Sequence, residues 1–178
     1  MSDARQMVDM VADRAQQEAG AYRGDEPRPL RGYLAVLIAY SAVVTSAAAV
    51  AAAAGRTLPE RWQIQDLVTV TLGSHKLSRT LSKAAVTSPI RAPFTQYTGT
   101  AGPAEVHEET RRTSQLRHSL GELLTCPFCL NVWVATAFVI GLIFVPRLTR
   151  LIAGSFTALA GADFLQLAYV KAQQAAES

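Results

Sequence analysis

An all-α integral membrane helical bundle with three to four transmembrane helices is the fold class that three observations predict. Hydrophobic residues make up 49% of the 178-residue chain and charged residues only 17%, against roughly 25% charged in an ordinary soluble domain. The apolar residues are not dispersed but gathered into uninterrupted blocks, and about 20 consecutive apolar residues suffice to cross a bilayer. The Lys and Arg residues cluster beside those blocks, and the net charge is a mild +3. Such a distribution fits contact with anionic lipid headgroups. It lacks the interleaved aromatic and basic residues or zinc-finger spacing of a nucleic-acid binder, so no nucleic acid is expected.

Residues 1–29 read as a polar N-terminal arm. Met7, Val8, Met10 and Val11 suit a short amphipathic helix, with Gly20, Gly24, Pro27 and Pro29 as its breakers. The first apolar block begins near Leu30, behind this charged leader, and is too long for the apolar core of a signal peptide. It is therefore expected to be a retained span over 30–54. Its second half is almost all alanine, which is barely lipophilic, and Ser41, Thr45, Ala49 and Ala53 recur every four residues. That stripe predicts close packing against another helix. Arg28 and Arg31 before the span suggest a cytoplasmic N-terminus.

A short turn with Pro59 and the interfacial anchor Trp62 leads to a second helix, 63–85. Ile64, Leu67, Val68, Thr71 and Leu72 keep helical spacing, but Asp66, His75, Lys76, Arg79 and Lys83 interrupt it. Two placements follow: a crossing helix whose basic half enters the headgroup zone, or a helix lying on the surface. Lys76, Arg79, Lys83, Arg91, Arg111, Arg112 and Arg117 all precede the next span, so positive-inside bias puts the stretch after this helix in the cytoplasm. Crossing is then the reading that joins it to a cytoplasmic N-terminus. Residues 86–121 form a linker rich in Pro and Gly, with Glu105 to Leu120 suited to a short charged helix. The remaining spans are placed at 122–145, ended by Pro146-Arg147, and at 150–172. The membrane domain thus covers 30–174, and 175–178 is a polar tail.

Two blocks carry a resemblance. One runs from Leu77-Ser78-Arg79 through Val86-Thr87-Ser88-Pro89-Ile90-Arg91-Ala92-Pro93-Phe94. The other is Leu124-Thr125-Cys126-Pro127-Phe128-Cys129-Leu130-Asn131-Val132-Trp133. With the last span they make residues 62–170 resemble the bacterial membrane family known as domain of unknown function 1360. Asn131 stands where that family often has Gly or Ser. The resemblance implies a small integral membrane protein with no established activity, some of whose relatives are associated with sporulation.

Three groups of residues are candidates for chemistry. The first is Thr125, Cys126, Pro127, Cys129 and Trp133, which hold the only two cysteines. Proline is favoured at the first helical position, which makes Cys126 the N-cap and Cys129 the third helical residue. Both sulfurs then sit at the positive end of the helix dipole, the geometry of dithiol redox sites, with Cys126 as the more exposed attacking thiol. The glutaredoxin fold is excluded, because no strand precedes the pair. Metal needs further ligands, for which His75, His107 and His118 are the only histidines. The plainest reading is a structural turn of small, buried cysteines. The second group is Asp163 with Gln166 in the last span, either a packing lock to His75, Lys76 or Arg79 or a proton relay. The third is the basic series Lys76, Arg79, Lys83 and Arg91, a solvated face or a site for lipid headgroups or phosphate, with Ser78, Ser82 and Thr87 as helpers.

No catalytic triad, phosphate loop or paired carboxylates stands out, so a hydrolase or nucleotide-dependent enzyme is disfavoured, and neither cofactor nor bound metal is expected. The chain reads as a multi-pass cell-membrane protein, foremost a non-enzymatic scaffold or accessory protein. The alternatives are a thiol-disulfide oxidoreductase built on Cys126 and Cys129, and a channel or transporter component with Asp163 lining a polar path. Its expected partners are the bilayer, anionic headgroups, and a second copy or other membrane proteins.

Overall fold

A computed structural model describes residues 2–24 and 28–177. Its elements in order are α1 (Ser2–Arg23), α2 (Leu30–Ala53), α3 (Ile64–Lys83), α4 (Ser88–Arg91), β1 (Thr95–Gly102), β2 (Glu105–Thr110), α5 (Gln115–Thr125), α6 (Pro127–Phe144) and α7 (Pro146–Ala176). Helices α2, α6 and α7 are long and apolar enough to cross a membrane, with mean hydropathies of 2.1, 2.0 and 1.4. The all-helical membrane class holds, with one small antiparallel hairpin added.

Contacts between helices fix their directions. Asp66 meets Arg150, Thr157 donates to the Thr69 carbonyl, and Lys76 meets Asp163. The numbers rise together, so α3 and α7 run parallel. Tyr33 donates to Glu122 and Tyr40 bonds Thr136, so α2 runs parallel to α5 and α6. Only Val145 separates α6 from α7, so these two turn back on each other. One end of the bundle therefore collects the starts of α2 and α5, the end of α3 and the hairpin. The other collects the 54–63 turn and the α6–α7 corner.

The core is a seam between α3, α6 and α7: Val70, Leu130, Val134, Phe138 and Ala153, flanked by Leu77, Leu81, Leu124 and Leu142. α3 enters it through a narrow polar face. Ser74, Ser78 and Ser82 recur every four residues and are at most 2% exposed. Each hydroxyl donates to the carbonyl three residues earlier, at 3.0 to 3.4 Å, so burial leaves none unsatisfied. At Gly73 the helices touch backbone to backbone: an added Cβ would lie 2.6 Å from the Ala153 carbonyl oxygen. Small residues at such crossings are what permit this approach.

Several expectations are corrected. The N-terminal helix runs through Gly20 to Arg23, because a single exposed glycine costs a helix only about 1 kcal/mol; Pro27 lies outside the described residues. Glu105 to Thr110 is a strand. The charged helix starts at Gln115, where the Ser114 side chain caps it by accepting from the Arg117 N–H at 3.2 Å. The span drawn over 122–145 is broken at Cys126, and Leu123 to Thr125 close the preceding helix. Pro146 does not merely end a span; it occupies the first turn of α7, which extends to Ala176. The alanine half of α2 packs on nothing along its stripe: Ser41, Thr45, Ala49 and Ala53 are exposed.

Candidate dithiol site

The break between α5 and α6 follows from Pro127. It stands at the start of α6, and Cys126 is the N-cap, with φ −97° and ψ 106°. The Cys129 backbone N–H donates to the Cys126 sulfur at 3.2 Å. Both cysteines are free thiols; Cys126 is half-buried and Cys129 exposed. This corrects two expectations: the sulfurs are not packed into the core, and Cys129 is the more accessible of the pair. The cause is the helix phase, which turns Leu130 into the core and its neighbour Cys129 away from it.

A cavity of about 780 Å³ lies beside the pair, between α2 and the α5–α6 junction. Val36, Leu37, Tyr40, Leu123, Val132 and Trp133 supply its apolar walls, and Thr125, Cys126 and Cys129 line it as well. Tyr40 and Trp133 meet edge to face, with ring centroids 5.3 Å apart. Trp133, the last member of the cysteine group, forms part of the cavity wall. Polar groups collect at one end. The Tyr33 hydroxyl donates to Glu122, Arg28 lies 3.5 Å from the same carboxylate, and His118 Nε2 lies 3.5 Å from it. Gly32 lets α2 come this close, because any side chain there would collide with the Gln115 carbonyl and the Ser119 hydroxyl. Sequence reasoning missed Tyr33 and Glu122. The one available signal was that Glu122 stands four residues, one helical turn, before Cys126.

Among the described residues no three His, Cys, Asp or Glu side chains gather in a way that could hold a metal ion. His118 turns to Glu122, not to the cysteines. The second candidate group is drawn into packing: Lys76 Nζ lies 2.5 Å from Asp163, while Gln166 is exposed. A second interhelical pair, not foreseen, joins Arg150 to Asp66 through two hydrogen bonds of 2.8 Å.

The basic series is dispersed. Lys76 is committed to Asp163, Arg79 forms a two-point pair with Glu105 at 2.8 and 2.9 Å, and Lys83 is half-buried. Arg91 cannot meet a headgroup at all, being 0% exposed. Its guanidinium binds Glu108 at 2.7 and 3.1 Å, the Leu81 and Ala84 carbonyls at 2.6 and 3.0 Å, and the Thr87 and Ser88 hydroxyls at 2.6 and 3.2 Å. Leu81 carries a carbonyl left over at the end of α3, and Ala84, the residue that closes the helix, offers its carbonyl to both the Thr87 N–H and Arg91. One arginine therefore caps α3 and ties it to β2. Burial pushes the Glu108 carboxyl up, but its hydrogen bonds to Arg91, Ser88 and Thr95 and the arginine charge outweigh that and hold it below the ordinary carboxylate value. The hairpin tip is tied to the same point: Ala85 N–H donates to the Ala104 carbonyl at 2.9 Å, and Ala104 adopts a positive φ of 59° in the two-residue turn.

The polar lock at Arg91, the serine face of α3 and the Cys-Pro-Phe-Cys break all fall within residues 69–169, which match the family described as Protein of unknown function (DUF1360). The chain belongs to the DUF1360 family. No curated protein matches it, and no solved structure does. The family match covers most of α3, the hairpin, α5, α6 and most of α7, so every residue of the core seam lies inside it, whereas α1 and all of α2 precede it.

Proposed function

We propose that this DUF1360 protein is a multi-pass protein of the cell membrane that works as a non-enzymatic scaffold or accessory protein, docking through the alanine half of α2. One observation carries this reading. α2 is 24 residues long, yet only Gly32 and Ala51 are buried by the rest of the chain. An alanine-rich surface gains little from lipid, while its small side chains allow a second helix to approach closely. The charged groups add support. Asp66, Lys76, Arg79 and Arg91 all have partners within the chain, as expected of a framework. The pairing of Asp163 with Lys76 leaves the transport reading without its free carboxylate.

In this reading α3 crosses the membrane as the fourth helix. Its 20 residues span about 30 Å at 1.5 Å per residue, the thickness of the hydrocarbon layer. The N-terminus, the hairpin and the C-terminus then share the cytoplasmic side, where Arg28, Arg31, Lys83, Arg111, Arg112, Arg117 and Lys171 also fall. Arg112 and Arg117 are exposed there and suit anionic headgroups.

A photoreactive residue at Ala49 tests the docking face in living cells. The expected product is a covalent adduct of discrete mass, with a second copy or another membrane protein, that is absent when the residue is placed at Ala12 in α1. Crosslinking to lipid alone would overturn the scaffold reading.

A further inference from the structure

The cavity beside Cys126 and Cys129 combines features that the scaffold role leaves unused. Two free thiols three residues apart line one wall. The rest of the lining is aliphatic and aromatic, with Tyr40 and Trp133 edge to face. The polar end pairs a carboxylate, Glu122, with Arg28 and the Tyr33 hydroxyl. Its volume, about 780 Å³, lies in the range of small-molecule sites, roughly 300–1,000 Å³.

These features narrow the occupant. The charges at the polar end oppose each other, so the cavity has no excess charge with which to hold an ion. The walls suit a flat, apolar ring, and the Arg28 guanidinium, a group with five N–H donors, stands at the polar end, where the oxygens of such a ring would lie. A dithiol is a two-electron, two-proton donor. The membrane-soluble acceptor with matching stoichiometry, a flat ring and carbonyl oxygens is a quinone.

We propose that the Cys126–Cys129 pair is a redox site whose oxidant is a quinone bound in this cavity. In the oxidising step the two S–H bonds break and one S–S bond forms between Cys126 and Cys129. The two electrons and two protons pass to the quinone, whose two carbonyl oxygens become the hydroxyls of a hydroquinone. Two equivalents of a soluble thiol restore the pair and leave as one disulfide. The disulfide would bridge the N-cap and the third residue of α6, at the only break between α5 and α6. The α5–α6 junction would thus report the oxidation state of the quinone to the cytoplasmic end of the bundle. The inference rests on the membrane placement of α2 and α6, and not on the docking of α2.

The test uses the full chain, reduced and then freed of reductant, in nanodiscs without oxygen, with ubiquinone-1 as the probe. Loss of quinone absorbance and loss of alkylatable thiols are followed together. The expected result is one quinone reduced per protein, two thiols lost, and recovery of both on adding dithiothreitol. Cys126→Ser and Cys129→Ser each abolish quinone reduction. Leu37→Trp, which fills the cavity, slows quinone reduction by at least about tenfold while alkylation by iodoacetamide keeps its rate. Three results would overturn the proposal: thiols that alkylate normally but leave the quinone oxidised, quinone reduction that survives either serine variant, or equal slowing of quinone and iodoacetamide by Leu37→Trp. Impermeant labelling of single cysteines at Thr57 and Gly99, in a Cys126→Ser/Cys129→Ser background, reads the membrane placement separately. A quinone failure with the expected labelling rejects the redox site alone.

Discussion

Arg91 is the residue whose removal the structure predicts to cost most. Its side chain is 0% exposed and that of its partner Glu108 only 5%. An arginine has five N–H donors, and here they serve one carboxylate, two carbonyls and two hydroxyls. Arg91→Ala would leave the Glu108 charge buried without its counter-ion and reduce the Leu81 and Ala84 carbonyls to their hydrogen bonds from Thr87. Breaking a buried pair from one side costs about 3–5 kcal/mol. Glu108→Gln keeps the shape but removes the counter-charge, so the same range applies from the other side. The double variant Arg91→Met/Glu108→Leu removes both charges and should lie well below the sum of the two single losses. Hydrogen exchange of residues 95–110 is the assay, because the lock joins the hairpin to α3 and its loss opens that unit before the helical seam. The acid limb follows from Glu108. Its folded value is depressed, so the stability it contributes is complete above the ordinary value of 4.5 and is lost as pH falls through the lower folded value. Protection of the hairpin should therefore be flat from neutral pH down to about 4.5 and fall between there and the lower folded value. Single variants that change protection by less than about 1 kcal/mol, or a double variant equal to their sum, would refute this account.

The other predictions concern the helix seam and can be read by thermal unfolding in detergent. Gly73→Ala should destabilise by about 1–3 kcal/mol, because its Cβ would meet the Ala153 carbonyl and neither backbone can yield freely. Gly154→Ala is the matched control: nothing lies within 4 Å of its Cβ position, so helix propensity should raise stability by up to about 1 kcal/mol. Asp66→Asn should cost about 1.5–3 kcal/mol, the worth of hydrogen bonds to charged groups, Arg150→Gln should also destabilise, and the double variant should cost less than the sum. Additive losses there would mean that the two residues do not support α3 and α7 jointly.

Most of the helical framework could be read from hydropathy because lipid-facing helices advertise themselves. α2 beyond Arg31 and all of α6 are long runs without charge, and their placement needs only length. The N-cap geometry of Cys126 was also legible, because Pro127 restricts the backbone around it whatever lies nearby. The hairpin was not. Its strands carry Thr, Glu, Gly and His in no clear alternation, since its exposed faces are polar and its stability comes from Arg91 and the end of α3, contacts far apart in sequence. The exposure of Cys129 was equally hidden. Spacing predicts the cap, but the side of α6 that faces the core depends on where α3 and α7 dock. Tyr33 and Glu122 stand 89 positions apart, and nothing local pairs them.

α3 shows why charge alone misleads in this fold. A lipid-facing helix with Asp66, Lys76, Arg79 and Lys83 would be expelled from the hydrocarbon. α3 instead turns those groups toward protein or toward its end. Asp66 lies in its first turn and meets Arg150; Lys76 meets Asp163; Arg79 meets Glu105 at the hairpin. The two pairs with α7 sit more than two helical turns apart, at 66 and 76, and Gly73 makes the close contact between them. Together these contacts set the direction of α3 as well as its rotation. Reversed against α7, it would bring Lys76 beside Arg150 and Asp66 beside Asp163, two like-charge contacts in place of two attractive ones. Rotated by half a turn, it would present Ile64, Leu67 and Val68 to the seam and its serines to lipid. The polar residues that make α3 look unfit to cross are therefore the ones that specify how it packs.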